Sequence, residues 1–71
     1  MTEKEMCALA VKMQDNMRKY PKRRRGQNYF NALNDLHHDL ANQIRGTDLD
    51  PFYDDKKLAS FLEWVGKQME E

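Results

Sequence analysis

Apolar side chains recur every three or four positions between residues 27 and 45, and this period constrains the fold more than any other feature. The members of this stripe are Tyr29, Phe30, Leu33, Leu36, Leu40 and Ile44. Such spacing places them on one face of an α-helix, whereas a half-buried strand would alternate at every second residue. The stripe therefore predicts an amphipathic helix at about 27–45. Neither Gly nor Pro interrupts it, and we consider a kink only near His37 and His38.

A second apolar stripe predicts a helix at about 3–19. Its members are Met6, Leu9, Ala10, Met13 and Met17. Thr2 and Glu5 have the spacing of a capping box, in which each side chain accepts a hydrogen bond from the other residue's backbone N–H. The helix must end before Pro21, because the residue before a proline is pushed out of helical geometry. Gly26 is a second helix breaker after it.

A third stripe predicts a helix at about 55–69, with Asp54 or Asp55 as its N-cap. Its members are Leu58, Phe61, Leu62, Val65 and Met69. Gly46 suits the C-terminal end of the middle helix. The pair Asp50–Pro51 is typical of a turn, which would join the middle helix to the last one.

Three amphipathic helices with short connections predict an all-α fold, a small three-helix bundle. No segment alternates with period two over a useful length, so we expect no sheet. A chain of 71 residues forms one domain at most, here residues 1–71 with a basic linker at 18–26.

Charge is segregated along the chain although the formal net charge is zero. Residues 18–25 contain six cations and no acid, whereas residues 46–71 contain seven acids against three lysines. The two regions could compensate each other within the fold or across a dimer. Alternatively, the basic run is free to contact an acidic protein groove, or to follow a phosphate backbone.

The basic run and the aromatic residues are the candidate partner-binding residues. Arginine, tyrosine and tryptophan dominate binding hot spots, and tyrosine can also stack on a nucleic-acid base. The candidates are Arg18, Lys19, Tyr20, Lys22, Arg23, Arg24, Arg25, Phe52, Tyr53 and Trp64. Trp64 lies on the flank of its stripe, so for that residue we favour partial burial in the core, and an interface anchor is the alternative.

Catalytic and metal signatures are missing from the sequence. Asp48 and Asp50 begin like a calcium loop, but Tyr53 and Ala59 stand where that loop needs glycine and glutamate. Adjacent histidines point to different faces of a helix and cannot share one ion. Cys7 is the only cysteine, so an intrachain disulfide and a cysteine-based zinc site are excluded. We therefore predict a protein that is not an enzyme and uses no cofactor or metal.

The predicted location is the cytoplasm, the interior of a host cell. No apolar run approaches the roughly 18 residues that span a bilayer, so we expect no membrane partner. The first residues, MTEKEM, lack the basic head and apolar middle of a signal peptide.

Three segments, RGQNYFNALNDL, LANQIRGTDLDPFYDD and LASFLEWV, resemble a pattern found in small accessory proteins of bacteriophages and prophages. The similarity covers about residues 24–66, and the segment before it looks variable by comparison. The resemblance implies a phage origin and carries no catalytic or binding residue with it. It also favours an accessory role, since small phage proteins commonly bind and redirect host proteins.

Our leading hypothesis is a non-enzymatic, phage-type accessory protein that binds a host macromolecule, for which we favour a protein, and modulates or inhibits it. The first alternative is a small nucleic-acid-binding module that uses the basic run 18–25. Nucleic-acid binding would weaken steeply as salt rises, whereas a protein complex would show a milder slope. The second alternative is a mainly structural homodimer in which the basic loop of one subunit pairs with the acidic C-terminal half of the other.

Overall fold

The computed structural model describes residues 1–68, in which helices are joined by tight turns and no strand occurs. The elements are α1 (Glu3–Lys19), α2 (Arg25–Leu36), α3 (His38–Ile44), a short 3-10 helix (Asp55–Lys57) and α4 (Leu58–Gly66). The predicted all-α fold is confirmed. The third predicted helix corresponds to the 3-10 helix followed by α4, and Met69 lies outside the described residues.

Helix α1 has the predicted bounds because both of its ends carry local signals. Thr2 Oγ1 accepts the Glu5 N–H at 3.1 Å, and Glu5 Oε1 accepts the Thr2 N–H at 3.1 Å, which completes the capping box. After Lys19 the chain leaves helical geometry at Tyr20, which has φ −129° and ψ 62°. Pro21 follows directly and excludes helical geometry at Tyr20, as predicted.

The middle segment is two helices instead of the single helix predicted at 27–45. The break lies at His37, which has φ −140° and ψ 68°. The His37 N–H still donates to the Leu33 carbonyl at 2.7 Å, and its carbonyl accepts the Ala41 N–H at 3.1 Å. The break therefore leaves the backbone groups of His37 itself paired. The break lies at the histidines, where we considered a kink, but it divides the segment into two separate helices.

The break at His37 changes which side chains reach the core. Leu33, Ala41 and Ile44 are buried, whereas Leu36 is 42% exposed. Leu36 was predicted to belong to the buried stripe, so the prediction for that residue was wrong. The side chain of Asn34 links the two helices, because its Oδ1 accepts from Arg45 Nη2 at 2.8 Å and lies 2.9 Å from His38 Nδ1.

All four α-helices contribute to one core. Its buried apolar residues are Met1, Leu9, Met13, Phe30, Ala32, Leu33, Ala41, Ile44, Phe61 and Val65. Two more residues of the predicted stripes face outward, since Ala10 is exposed and Leu62 is 43% exposed. Both residues lie on the part of their helix that faces away from the core.

The turn between α3 and α4 is held by Asp50. Its Oδ2 accepts the Gly46 N–H at 2.8 Å and its Oδ1 accepts the Phe52 N–H at 2.9 Å. Gly46 has φ 77°, a conformation that favours glycine and lets the chain reverse after α3. Pro51 is buried, so the turn packs onto the helices instead of extending into solvent.

Candidate binding surface

The six cations of the basic run form one continuous stretch of exposed residues, which we call the basic surface. They are Arg18, Lys19, Lys22, Arg23, Arg24 and Arg25. Helix α1 extends through Lys19 and α2 begins at Arg25, so only residues 20–24 of the predicted 18–26 linker lie between helices. The surface therefore combines the last turn of α1, a short loop and the first turn of α2.

None of these six cations takes part in an ion pair within residues 1–68. The ion pairs there that do not involve the N-terminus join Lys12 to Asp35 at 3.9 Å, His37 to Glu5 at 3.7 Å and Lys67 to Glu63 at 3.5 Å. The basic surface therefore keeps its charge toward solvent in the described part of the chain. Glu70 and Glu71, which belong to the predicted acidic region, lie outside the described residues.

The acidic turn uses its carboxylates on backbone N–H groups. Asp55 Oδ1 accepts the Gly26 N–H at 2.9 Å, and Asp54 Oδ1 accepts the Lys56 N–H at 2.9 Å as the cap of the 3-10 helix. Arg24, the N-cap residue of α2, makes no side-chain cap hydrogen bond of its own. Asp55 thus places a carboxylate at the positive end of α2, where it is favourable.

Gly26 permits the acidic turn to approach α2. A Cβ atom on this residue would lie 2.1 Å from the Pro51 carbonyl oxygen. Gly26 is buried in the first turn of α2, so its predicted role as a helix breaker was wrong. Its small size matters instead, since any side chain would collide with the turn.

Tyr20 and Arg23 form a stacked pair at the start of the loop. The Arg23 guanidinium lies 3.8 Å from the centroid of the Tyr20 ring, and the Arg23 N–H donates to the Tyr20 carbonyl at 3.1 Å. This arrangement orders a guanidinium that would otherwise be free to rotate. The Tyr20 side chain remains accessible, because the residue is 41% exposed.

Two hollows adjoin Tyr20. The first, of about 340 Å³, is mainly apolar and is lined by Lys19, Tyr20, Pro21, Lys22 and Arg23. The second, of about 230 Å³, is mainly polar and includes Lys12, Lys19, Tyr20, Arg23 and Asp35 in its lining.

Two buried asparagines hold the loop in place, and the sequence did not single them out. Asn16 Nδ2 donates to the Asn28 carbonyl at 2.9 Å, and Asn28 Nδ2 donates to the Tyr20 carbonyl at 3.1 Å. Both residues are buried; the hydrogen bond from Asn16 to Asn28 is buried as well, and the one from Asn28 to Tyr20 is partly buried. Asparagine is rarely buried without such a role, but nothing in the local sequence distinguishes these two from the exposed ones.

The aromatic residues of the turn continue the basic surface on its other side. Phe52 is half-buried and packs edge-on against Phe30, with ring centroids 6.0 Å apart. Tyr53 packs against Phe52 at 4.7 Å and is 80% exposed. Arg24 Nη2 donates to the Phe52 carbonyl at 3.0 Å, and its guanidinium lies 6.0 Å from the Tyr53 ring centroid. Tyr53 is therefore an exposed neighbour of the arginines, whereas Phe52 mainly anchors the turn.

Trp64 lies apart from the other candidate partner-binding residues. It packs partly buried against the core and lines a separate hollow of about 260 Å³ together with Leu49, Ser60, Glu63 and Lys67. None of the six cations of the basic surface lines that hollow. This placement agrees with the favoured interpretation of Trp64 as a partly buried core residue.

The histidines line another open hollow, of about 430 Å³, with Met1, Glu5, Leu36, Asp39 and Leu40. Hydrogen bonds from the backbone and side chain of Thr2 lower the pKa of Glu5, and nearby His37 adds a smaller effect in the same direction. Within residues 1–68 no three His, Cys, Asp or Glu side chains cluster as a metal site would require.

Comparison with protein-family models, with curated proteins and with solved structures gave no match to this chain. Among the described residues, no helix combines the length and the apolar character that crossing a membrane requires. The composition and geometry of the basic surface are therefore the features of this protein that point to a function.

Proposed function

We propose that this protein is a non-enzymatic accessory protein of the phage type, which binds a host protein through the basic surface and modulates or inhibits it inside the host cell. The observation that carries the proposal is that the six cations are exposed and not paired with carboxylates within residues 1–68.

The position of these cations favours binding over a purely structural role. Arg24 and Arg25 lie at the start of α2, where the helix dipole disfavours positive charge. Nearby carboxylates could have paired with them, but Asp55 accepts a backbone N–H at that helix end. The charges of Arg24 and Arg25 therefore remain available to an anionic partner.

Two arginines on this surface are also pre-ordered. Arg23 is held against the Tyr20 ring and Arg24 against the Phe52 carbonyl, so each loses less conformational entropy when it binds a partner. Tyr20 and Tyr53 add exposed aromatic area next to the guanidinium groups. Arginine and tyrosine together are typical of the residues that dominate binding energy at protein interfaces.

A charge-reversal pull-down tests the proposal. The tagged protein is incubated with nuclease-treated host lysate, and the captured protein is then purified and bound again in isolation. The variant Lys22→Glu/Arg25→Glu should lose this complex, while the control Lys4→Glu/Lys67→Glu, with the same change in net charge, should retain it. Circular dichroism establishes that both variants are folded. Capture that both variants retain equally would refute the proposal.

A nucleic-acid-binding module is the second candidate, and the exposed tyrosines beside arginines favour it. Single-strand binders combine cations with aromatic rings on which bases stack. In that case nuclease treatment would abolish capture, and a single-stranded oligonucleotide would bind with an affinity that falls steeply as salt rises. The homodimer makes a different prediction, since sedimentation would then give a dimer that Lys22→Glu/Arg25→Glu dissociates.

A further inference from the structure

We infer that the basic surface binds a short acidic peptide segment with one apolar side chain, and that this side chain enters the apolar hollow beside Tyr20. The inference deepens the proposed function and rests on it. The peptide would belong to the host protein, in an exposed loop or a chain terminus.

The walls of the apolar hollow favour a hydrocarbon side chain. The hollow is open to solvent, has a volume of about 340 Å³ and a mainly apolar lining, and is formed by Lys19, Tyr20, Pro21, Lys22 and Arg23. This volume has room for a leucine or phenylalanine side chain. Long cationic side chains commonly cover apolar surface with their stems while the charged ends remain in water.

The rim of the hollow favours carboxylates next to that side chain. Lys19, Lys22 and Arg23 are exposed and, within residues 1–68, take part in no ion pair. The planar guanidinium of Arg23 lies against the Tyr20 ring and can offer two parallel N–H groups at its edge. A peptide carboxylate accepts such a pair of hydrogen bonds in one plane.

Carboxylates of the protein itself limit how far a polyanion could extend. Asp55 lies at the start of α2, and Asp35 lines the polar hollow with Lys19 and Arg23, although Lys12 at 3.9 Å offsets part of the Asp35 charge. A nucleic-acid backbone carries a charge on every phosphate and would approach these acids. An acidic peptide can place its few charges only opposite the cations. The Arg23 guanidinium also covers one face of the Tyr20 ring, which removes half of that ring as a stacking platform.

Fluorescence anisotropy with labelled ligands tests this inference. The first probe is a peptide in which acidic residues flank one leucine, the second has serine in place of that leucine, and the third is a single-stranded oligonucleotide of equal charge. We expect the leucine peptide to bind at least about tenfold more tightly than either of the others. The variants Tyr20→Ser and Arg23→Gln should each weaken leucine-peptide binding by about tenfold or more, while Lys67→Gln should not change it.

Equal affinity for the leucine and serine peptides would overturn the inference, and so would tighter binding of the oligonucleotide. Absence of saturable leucine-peptide binding up to about 1 mM would also overturn it. The proposed function survives any of these results if charge reversal still abolishes capture of the host protein. It fails separately if that capture does not depend on the basic surface. Circular dichroism of Tyr20→Ser and Arg23→Gln establishes that lost binding is not lost folding.

Discussion

Replacing Gly26 with alanine should destabilise the protein, although the same change inside an isolated helix is stabilising. Intrinsic helix propensity favours alanine over glycine by about 1 kcal/mol. In the folded protein, however, the new Cβ would lie 2.1 Å from the Pro51 carbonyl oxygen and 2.9 Å from Asp55 Oδ1. Propensity and tertiary packing therefore predict opposite signs for the change in unfolding free energy.

The geometry sets the expected magnitude. The Pro51 oxygen must retreat from 2.1 Å to at least 3.0 Å, a shift of about 0.9 Å that also displaces the Asp55 carboxylate from the Gly26 N–H. Overpacking of this kind costs about 1–3 kcal/mol, and loss of a hydrogen bond to a charged group costs about 1.5–3 kcal/mol. After the gain in propensity of about 1 kcal/mol, we expect a net loss of about 1.5–5 kcal/mol.

Thermal and urea unfolding followed by circular dichroism measure this loss. In a domain of this size, 1 kcal/mol corresponds to about 4–8 °C, so Tm should fall by at least about 6 °C. Gly66→Ala is the matched control, because a Cβ at that position would meet nothing within 4 Å. A Tm for Gly26→Ala equal to or above that of the unaltered protein would refute the close approach of the turn to α2.

Three further predictions concern stability. Asp55→Asn should lower the unfolding free energy by about 1 kcal/mol, measured in urea, because the carboxylate at the start of α2 loses its charge; an unchanged value would mean that the contact contributes nothing. Thr2→Ala should cost about 0.5–2 kcal/mol through loss of the N-cap. Thr2 lowers the pKa of Glu5 below its ordinary value of 4.5, so the stabilisation of the folded state by ionised Glu5 is complete above pH 4.5 and is lost as pH falls through the lowered pKa. NMR titration should find the pKa of Glu5 higher in Thr2→Ala than in the unaltered protein. Leu33→Ala should cost about 2–5 kcal/mol, whereas Leu36→Ala should cost far less, because Leu33 is buried and Leu36 is exposed; equal losses would contradict this difference in burial.

Local signals predicted the first helix and the turn well. The capping box of Thr2 and Glu5 and the proline at position 21 act within a few residues, so they determine both ends of α1 without help from the rest of the fold. Asp50 and Pro51 likewise form their turn through contacts inside it. The apolar period predicted all-α structure for the same reason, since it reflects the geometry of one helix at a time.

The break at His37 could not be predicted from the sequence with comparable certainty. No glycine or proline lies there, and the apolar period continues through it from Leu33 to Ile44. The outward position of Leu36 depends on how α2 and α3 pack on the other helices. Periodicity assigns residues to one face of a helix but does not determine whether that helix continues without a break.

The candidate binding surface was also predictable only in part. Its cations are evident in the sequence, and the contact between Tyr20 and Arg23 joins residues only three positions apart. The contacts of Arg24 with Phe52 and of Gly26 with Asp55 join residues 28 and 29 positions apart. Short-range sequence patterns could not predict that these residues are in contact, or that Trp64 lies apart from them.

The sequence by itself determined the helical class, the ends of α1, the chemistry of the connecting turn and the location of the positive charge. All of these follow from interactions between residues that are near neighbours in the chain. Only the tertiary structure decided that the helix divides at His37, that Gly26 must be small and that Asp55 accepts a hydrogen bond from a distant helix end. These outcomes depend on which surfaces pack together when the helices bury their apolar faces. Interactions between near neighbours in the chain do not specify that packing.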